Sequence, residues 1–248
     1  MKAFLGIIFF FLVFAFPFTS ASSFTREEVS ALQEKSAGTP RGERIAFFAS
    51  SFIGTPYDPD PMGEYVTNRA IVADERVDCM YHVFRSAELA LSKSPEEAEA
   101  LALDLRFLTK GRLGPDGKVE NYSERFEYGE DMIRSGKWGR DITALLGRTE
   151  KIPGSRGIPY MDVLPKDSIE AAFPKMKSGD IVFFIKDPEK RKAGEIVGHI
   201  GIIDRMGEGL YLIHASGSKT KGGLVKKLPL KDYISQMGFI GVLATRFE

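Results

Sequence analysis

The sequence has one cysteine, Cys79, and three histidines, His82, His199 and His214. A single cysteine with histidines far along the chain is typical of thiol hydrolases, in which an imidazole takes the proton of the thiol. Cys79 follows Asp78, a good helix-capping residue, and precedes a segment whose apolar face predicts a helix. Because the unpaired N–H groups at a helix start favour an anion, we predict that Cys79 is a reactive nucleophile.

The two later histidines lie in short segments rich in β-branched residues, which predict strands. Glycines between these segments fit a hairpin, and adjacent strands would bring His199 and His214 side by side. One imidazole could then take the thiol proton while the other fixes its tautomer. His82 lies one turn after Cys79 on the same predicted helix, from which a base can rarely reach over the thiol, so we predict a structural role for it.

The sequence gives little support to other chemistries. Zinc ligands typically come in pairs about two to five residues apart, and Cys79 and the histidines are spaced too widely for that. We therefore expect no metal site. Neither a glycine-rich phosphate loop nor a serine nucleophile elbow is present in the sequence. Lys plus Arg and Asp plus Glu both total 34, whereas a nucleic-acid-binding protein would show a basic surplus.

The segments that position these residues change in character along the chain. Apolar periodicity and capping residues predict helices at about 25–35, 44–53 and 78–92, another from residue 94, and helical character from 122 to 134. Glycine and proline predict a loop at 147–165. Short β-branched or aromatic segments predict antiparallel strands at 180–186, 197–204, 210–215, 223–228 and 239–247. Helices followed by strands indicate an α+β fold.

The first 21 residues have the pattern of a signal peptide, with Lys2, an apolar run at 4–18 and small residues at 19–21. The run is shorter than the roughly 20 residues of a membrane span. We expect export to the periplasm or the extracellular space, with no membrane anchor after cleavage; an uncleaved anchor is the alternative. No cysteine lies directly after the run, so we expect no lipoprotein anchor. Residues 22–248 are expected to form a single catalytic domain with N-terminal helices and an insertion at about 106–165.

Taken together, residues 40–247 resemble the NlpC-type cell-wall cysteine hydrolases, which are papain-like. Five motifs occur in the order of that group: Gly54-Thr55-Pro56-Tyr57, Arg76-Val77-Asp78-Cys79, Ser178-Gly179-Asp180-Ile181-Val182-Phe183-Phe184, Gly198-His199-Ile200-Gly201-Ile202 and Ile213-His214-Ala215-Ser216. The long segment between cysteine and first histidine is similar to that of the N-acetylmuramoyl-L-alanine amidase-like family, at 121–128, 131–133 and 139–143.

This resemblance implies a papain-like domain in which the nucleophile helix packs on an antiparallel sheet. It implies that Cys79 is the nucleophile, His199 the base and His214 the residue that orients the base. Tyr57 would line the site near the thiol, and Asp78 matches the aspartate before the nucleophile. The implied reaction needs no cofactor and hydrolyses the amide between the lactyl group of N-acetylmuramic acid and L-alanine, with peptidoglycan fragments as the binding partner.

The bond that is cleaved stays open. The group usually has small residues after the cysteine, whereas this chain has Met80-Tyr81-His82. An endopeptidase that cuts within the peptidoglycan stem peptide needs the same triad. A peptidoglycan-binding protein with a dead site is the alternative of a different class, and the complete triad counts against it.

The insertion carries the residues expected to bind substrate. The fork of Arg125 suits the carboxylate of a stem peptide, and the ring of Tyr128, like those of the other insertion aromatics, suits the face of a sugar. We therefore predict that Arg125 and Tyr128 bind substrate and that the insertion closes one end of the cleft, so that small muropeptides enter and intact wall strands do not. The alternative is that the aromatics pack the insertion onto the domain. The other insertion aromatics are Tyr122, Phe126 and Trp138.

Overall fold

The computed structural model describes residues 24–248, so the predicted signal peptide lies outside the described part of the chain. Residues 24–248 form an α+β fold, which confirms the predicted fold class. None of the helices in this range has the length and apolar character needed to cross a membrane. Whether residues 22–248 act as a single catalytic domain stays a prediction.

The four helices predicted before residue 106 begin close to where capping residues and apolar periodicity placed them, whereas the short helices at 64–67, 143–146, 169–172 and 230–236 were not predicted. Thr25 and Glu28 form the capping box of the first helix, with each side chain bound to the backbone N–H of the other residue. The helices are α1 (Arg26–Lys35), α2 (Arg41–Ser51), α3 (Glu64–Thr67), α4 (Cys79–Leu91), α5 (Pro95–Leu105), α6 (Gly129–Ser135), α7 (Thr143–Leu146), α8 (Ile169–Ala172) and α9 (Leu230–Gln236).

The described strands form one antiparallel sheet in the order β2-β3-β8-β4-β5-β6-β7, and β1 pairs with β8. The five strands predicted from the sequence correspond to β4 through β8. The strands are β1 (Arg140–Asp141), β2 (Glu150–Pro153), β3 (Tyr160–Pro165), β4 (Ile181–Ile185), β5 (Val197–Met206), β6 (Gly209–Ser218), β7 (Gly222–Pro229) and β8 (Gly241–Arg246).

Two predictions for the insertion were wrong. The range 147–165 was expected to be a loop, but it contains the hairpin of β2 and β3, which extends the sheet beyond β8. The helical segment expected at 122–134 is broken: a 3₁₀ turn at Tyr122–Glu124 is separated from α6 by extended backbone at Arg125 and Tyr128. The glycines and prolines of this range therefore indicate the turn of a hairpin and not a long loop. Through β2, the insertion forms one edge of the sheet.

Side chains on the sheet alternate between two cores, as the pleat requires. Ile181 and Phe183 of β4 belong to the core shared with α2 and α4. Val182 and Phe184 belong to the core on the opposite face, shared with α9. The sheet is therefore covered by helices on both faces.

Strand β5 has a bulge beside His199. On β4, Phe184 lies opposite His199, but the next residue, Ile185, lies opposite Val197, so Gly198 is an extra residue in β5. A Cβ atom on Gly198 would lie 2.6 Å from a side-chain carbon of Phe239, which explains why glycine is needed there.

Helix α4 is buried along most of its length, and its charged side chains find partners inside the protein. Glu88 accepts two hydrogen bonds from Arg106, each 2.6 Å long. Asp74 accepts hydrogen bonds from Arg85 at 3.0 Å and from the hydroxyl of Tyr81 at 2.7 Å. Because Arg106 begins the predicted insertion, its ion pair connects that segment to the helix that begins at Cys79.

Removing one partner of the Glu88–Arg106 pair would leave a buried unpaired charge. We expect Arg106→Met or Glu88→Gln to lower the free energy of unfolding by about 3–5 kcal/mol. The double variant Arg106→Met/Glu88→Gln should lose less than the sum of the single changes, because it leaves no unpaired buried charge. Urea denaturation measures these differences. The exposed pair of Arg26 and Glu96 is the control, since Arg26→Met should change stability little; additive losses at the buried pair would contradict the expectation.

Candidate functional site

The only cysteine stands at the first residue of helix α4, as predicted. Asp78 caps this helix, because its Oδ1 accepts a hydrogen bond from the backbone N–H of Tyr81 at 2.8 Å. Cys79 is a free, half-buried thiol. It therefore lies among the unpaired N–H groups of a helix start, which favour a negative charge on sulfur.

The thiol lies where two strands separate. The ladder between β5 and β6 ends at the pair Ile202 and Ile213, although β5 begins at Val197 and β6 continues to Ser218. The backbone N–H of Ile200, which this ladder does not use, is close enough to Cys79 to lower the pKa of the thiol. Helix α4 packs on one face of the sheet, and its first residue reaches the sheet itself at this gap.

The two strand histidines lie side by side, which confirms the predicted hairpin. His199 Nε2 and His214 Nδ1 are 2.6 Å apart, and the ring planes are nearly perpendicular. Both rings face α9, and Tyr233 of that helix packs against both. Burial raises the pKa of Tyr233 and Cys79 raises it further, so Tyr233 lies near the thiol as well.

The hydrogen bond between the histidines determines which ring nitrogen of His199 can accept the proton of the thiol. Since His199 Nε2 is bound to His214, Nδ1 is the nitrogen of His199 left to act as a base. For Nδ1 to hold a lone pair, Nε2 must donate to His214, which then carries its own proton on Nε2. That nitrogen of His214 is buried and has no hydrogen-bond partner among residues 24–248. The ring of Tyr233, whose centre is 4.9 Å away from that of His214 at an angle of 68°, can accept such an N–H weakly.

Burial opposes charge on each of these groups separately. Burial and the Asp78 carboxylate raise the pKa of Cys79 to about 12. The backbone N–H of Ile200 and the ammonium of Lys219 act in the opposite direction and lower this pKa. Burial lowers the pKa of His199 to about 4. Burial and His199 lower the pKa of His214 to about 2. Among the described residues no hydrogen bond joins the thiol to His199, so a shared proton between them stays a prediction.

Tyr57 and Asp78 flank the thiol, as expected from the sequence. Tyr57 pairs with Val77 through an isolated parallel bridge, which holds it beside the start of α4. Burial raises the pKa of Tyr57 and Cys79 raises it further, so the two side chains are close. Lys219, from the turn between β6 and β7, completes this side of the site: its Nζ lies 3.7 Å from Asp78 Oδ2 and 5.5 Å from the centre of the Tyr57 ring.

A buried carboxylate from the insertion holds the start of the histidine strand. Glu130 accepts hydrogen bonds from the backbone N–H groups of Ile196 and Val197, both 3.1 Å long. Arg156 donates to the same carboxylate at 3.2 Å. The insertion therefore positions the segment that leads into His199.

Arg125 and Tyr128 are not joined to the thiol or to the histidines by any contact in the described range. Arg125 forms an ion pair with Glu127 at 3.0 Å. One face of the Tyr128 ring is covered by Arg156, whose guanidinium lies 3.6 Å from the ring centre. A role for either residue in binding substrate stays a prediction, and for Tyr128 it is restricted to the uncovered face.

The other aromatic residues of the insertion do not line a cleft. Tyr122, Phe126 and Trp138 are buried in the core shared with α4. The expectation that they offer faces to sugars was wrong, and the packing alternative accounts for them. His82 has the predicted structural role, since it is buried and its Nε2 lies 3.1 Å from the carbonyl oxygen of Ala49.

Sequence reasoning missed three residues around the site: Glu130, Lys219 and Tyr233. No motif marks them, because they reach the site from the insertion, a turn and a late helix. Within residues 24–248 no cluster of three His, Cys, Asp or Glu side chains could hold a metal ion. A cavity of about 790 Å³ elsewhere on the protein is lined by none of the residues named at this site.

No family model matches the sequence, and no curated protein matches it. Solved structures do match in fold. An N-acetylmuramoyl-L-alanine amidase from Bacteroides uniformis is 22% identical, with a TM-score of 0.63 over 83% of this chain and 98% of that one. A Legionella pneumophila protein of the family DUF1460 is 17% identical, with a TM-score of 0.68 over 88% and 93%.

A third match is a protein from Bacteroides fragilis that has been provisionally named a xylanase. It is 22% identical, with a TM-score of 0.61 over 81% of this chain and 99% of that chain. At these identities the similarity establishes a shared fold. The names of the matching proteins differ, so the shared fold alone does not determine the chemistry of this chain.

The ring of Tyr233, rather than its hydroxyl, should fix the tautomer of His214. We expect Tyr233→Phe to leave the histidine tautomers and the rate of Cys79 alkylation by iodoacetamide unchanged. Tyr233→Leu should mix the tautomers of His214 and slow alkylation roughly fivefold, the equivalent of one weak N–H contact to a ring. Nitrogen-15 NMR of the imidazoles and labelling kinetics at pH 6 measure both effects. An equal loss in the Phe variant would assign the role to the hydroxyl instead.

Proposed function

We propose that this chain is an exported cysteine amidase of the papain-like NlpC type, which hydrolyses the amide between N-acetylmuramic acid and L-alanine in peptidoglycan fragments. The observation that carries the proposal is a thiol at a helix start beside a strand that bears one of two hydrogen-bonded imidazoles, those of His199 and His214. The fold shared with the Bacteroides uniformis amidase supports the substrate class. The apolar run of residues 4–18 supports export.

In the proposed mechanism, the proton of Cys79 passes to Nδ1 of His199. Because burial opposes each charge alone, thiolate and imidazolium can exist only as a pair. The thiolate attacks the lactyl carbonyl carbon, and the C=O electrons move onto oxygen. Backbone N–H groups at the start of α4 stabilise that oxyanion.

The intermediate collapses when His199 protonates the leaving nitrogen of L-alanine. The C–N bond breaks and a thioester between Cys79 and the lactyl group remains. His199, neutral again, takes a proton from water, whose oxygen attacks the thioester. The released thiolate recovers the proton, and His214 keeps the imidazole of His199 in one orientation throughout.

Hydrolysis of a glycosidic bond fits this site less well. Most glycosidases place two carboxyl groups on either side of the scissile bond. Here the groups near the sulfur are imidazoles, tyrosines and the carboxylates of Asp78 and Asp58. These two carboxylates lie close to each other, and both are engaged: Asp78 is ion-paired with Lys219, and Asp58 accepts backbone N–H groups. A thiol beside an imidazole suits acyl transfer, so the site favours an amide substrate.

Cleavage of a defined muropeptide tests the proposal. Purified protein should release L-alanyl peptide from N-acetylmuramoyl-L-alanyl-D-isoglutamine, detected by mass spectrometry, and should act on soluble fragments much faster than on intact sacculi.

Cys79→Ala and His199→Ala should each lower turnover at least about a thousandfold, since residues acting as a unit are lost together. His214→Gln should retain more activity than His214→Ala. Release of products only from within the stem peptide would establish the endopeptidase instead.

Alkylation at different pH values tests the thiolate–imidazolium pair. In the wild type, iodoacetamide should label Cys79 at pH values well below about 8.5, the pKa of a free thiol. In His199→Ala the pair is lost, and burial and Asp78 then hold the pKa of the thiol above its ordinary value. Labelling of the variant should therefore rise only above about pH 8.5. Identical profiles for the two proteins would refute the pair.

A further inference from the structure

Lys219 holds a buried ammonium group beside the nucleophile. Its Nζ is excluded from solvent and has no hydrogen-bond partner within residues 24–248. The nearest anion is Oδ2 of Asp78, at 3.7 Å, which is an ion contact too long for a hydrogen bond. The N–H groups of Lys219 are therefore available to an acceptor that enters the site.

Without Lys219, this side of the thiol would be negative. Asp78 is mostly buried, and Asp58 lies close enough to raise its pKa. Asp58 is itself buried, where it accepts backbone hydrogen bonds from Asp60 and Glu64. Two buried carboxylates would attract an ammonium group of a substrate. Lys219 already supplies that positive charge, and its ammonium lowers the pKa of Cys79 against the raising by burial and by Asp78.

We propose that Lys219 determines the specificity of the site: it neutralises Asp78, donates a hydrogen bond to the acyl part of the substrate, and rejects substrates with a free ammonium group next to the scissile amide. This inference rests on the proposed function. The lactyl group of a muramoyl amide offers oxygen acceptors and no ammonium. A stem peptide without the sugar has a free ammonium on its N-terminal alanine, which would face Lys219 at close range.

Charged alkylating reagents test the electrostatic part without any substrate. Iodoacetate and iodoacetamide both form an S–C bond to Cys79 and release iodide, but only iodoacetate is an anion. After normalisation to glutathione, the wild type should prefer iodoacetate. Lys219→Met should lower the ratio of the two rates about tenfold, because one nearby charge is removed. Lys221→Met, an exposed lysine on the same turn, is the matched control and should leave the ratio unchanged.

Lys219→Arg is the control that separates loss of the charge from misfolding of the turn. It keeps the positive charge and should therefore keep the preference for iodoacetate. Circular dichroism checks the fold of each variant. An unchanged ratio in a folded Lys219→Met variant would overturn the inference, and so would an equal fall in Lys221→Met.

Paired substrates test the specificity. The wild type should cleave N-acetylmuramoyl-L-alanyl-D-isoglutamine and leave the free tripeptide L-alanyl-γ-D-glutamyl-diaminopimelate intact. Lys219→Met should shift the ratio of kcat/KM towards the free tripeptide by at least about tenfold. An unchanged ratio would overturn the role of Lys219 while leaving the amidase in place. A wild type that cleaves only the tripeptide would overturn the proposed function and the specificity together, whereas the alkylation ratios would still report on the charge at the thiol.

Discussion

The end of the β5–β6 ladder is the constraint on which the site depends. Helix α4 and the histidine rings lie on opposite faces of the sheet, and a continuous ladder would separate the thiol from the imidazoles. Because pairing ends at Ile202 and Ile213, the first residue of α4 can reach the gap between the strands. The backbone N–H of Ile200 then interacts with the sulfur of Cys79 instead of pairing with β6. A local loss of sheet hydrogen bonds is thus what brings the thiol to the strand that carries His199.

The rest of the fold fixes the two sides of that gap. Helix α4 is held by the ion pair between Glu88 and Arg106 and by the cluster around Asp74, so its start cannot shift without breaking buried charge contacts. Strand β5 is held by Glu130, whose carboxylate binds two consecutive N–H groups before His199. Arg106 and Glu130 both belong to the range 106–165, so the insertion supports both sides.

The elements could be predicted from the sequence where the signal is local. The capping box at Thr25, the cap at Asp78 and the alternating strands after residue 180 depend on neighbours in the chain, and the structure has them as expected. The hairpin at 150–165 and the packing of Trp138 depend on distant partners, and there the predictions were wrong. Cys79, His199 and His214 were proposed because their types are rare in this chain, and the structure places the two histidines side by side. Tyr233 is one of 8 tyrosines, so nothing in the sequence distinguishes it.

The pleat of β5 places a limit on how the histidine strand can vary in length. Side chains alternate along a strand, so adding or losing one residue reverses the face to which the following side chains point. Glu130 fixes the strand before the bulge and Ile202 fixes it after. Gly198 is the exception: without it, Val197 and His199 would be neighbours in a regular ladder, still opposite Ile185 and Phe184 and still on opposite faces. In related chains, the number of residues from the histidine to the first pair of the β5–β6 ladder should therefore be restricted, whereas the bulge residue before the histidine can be absent.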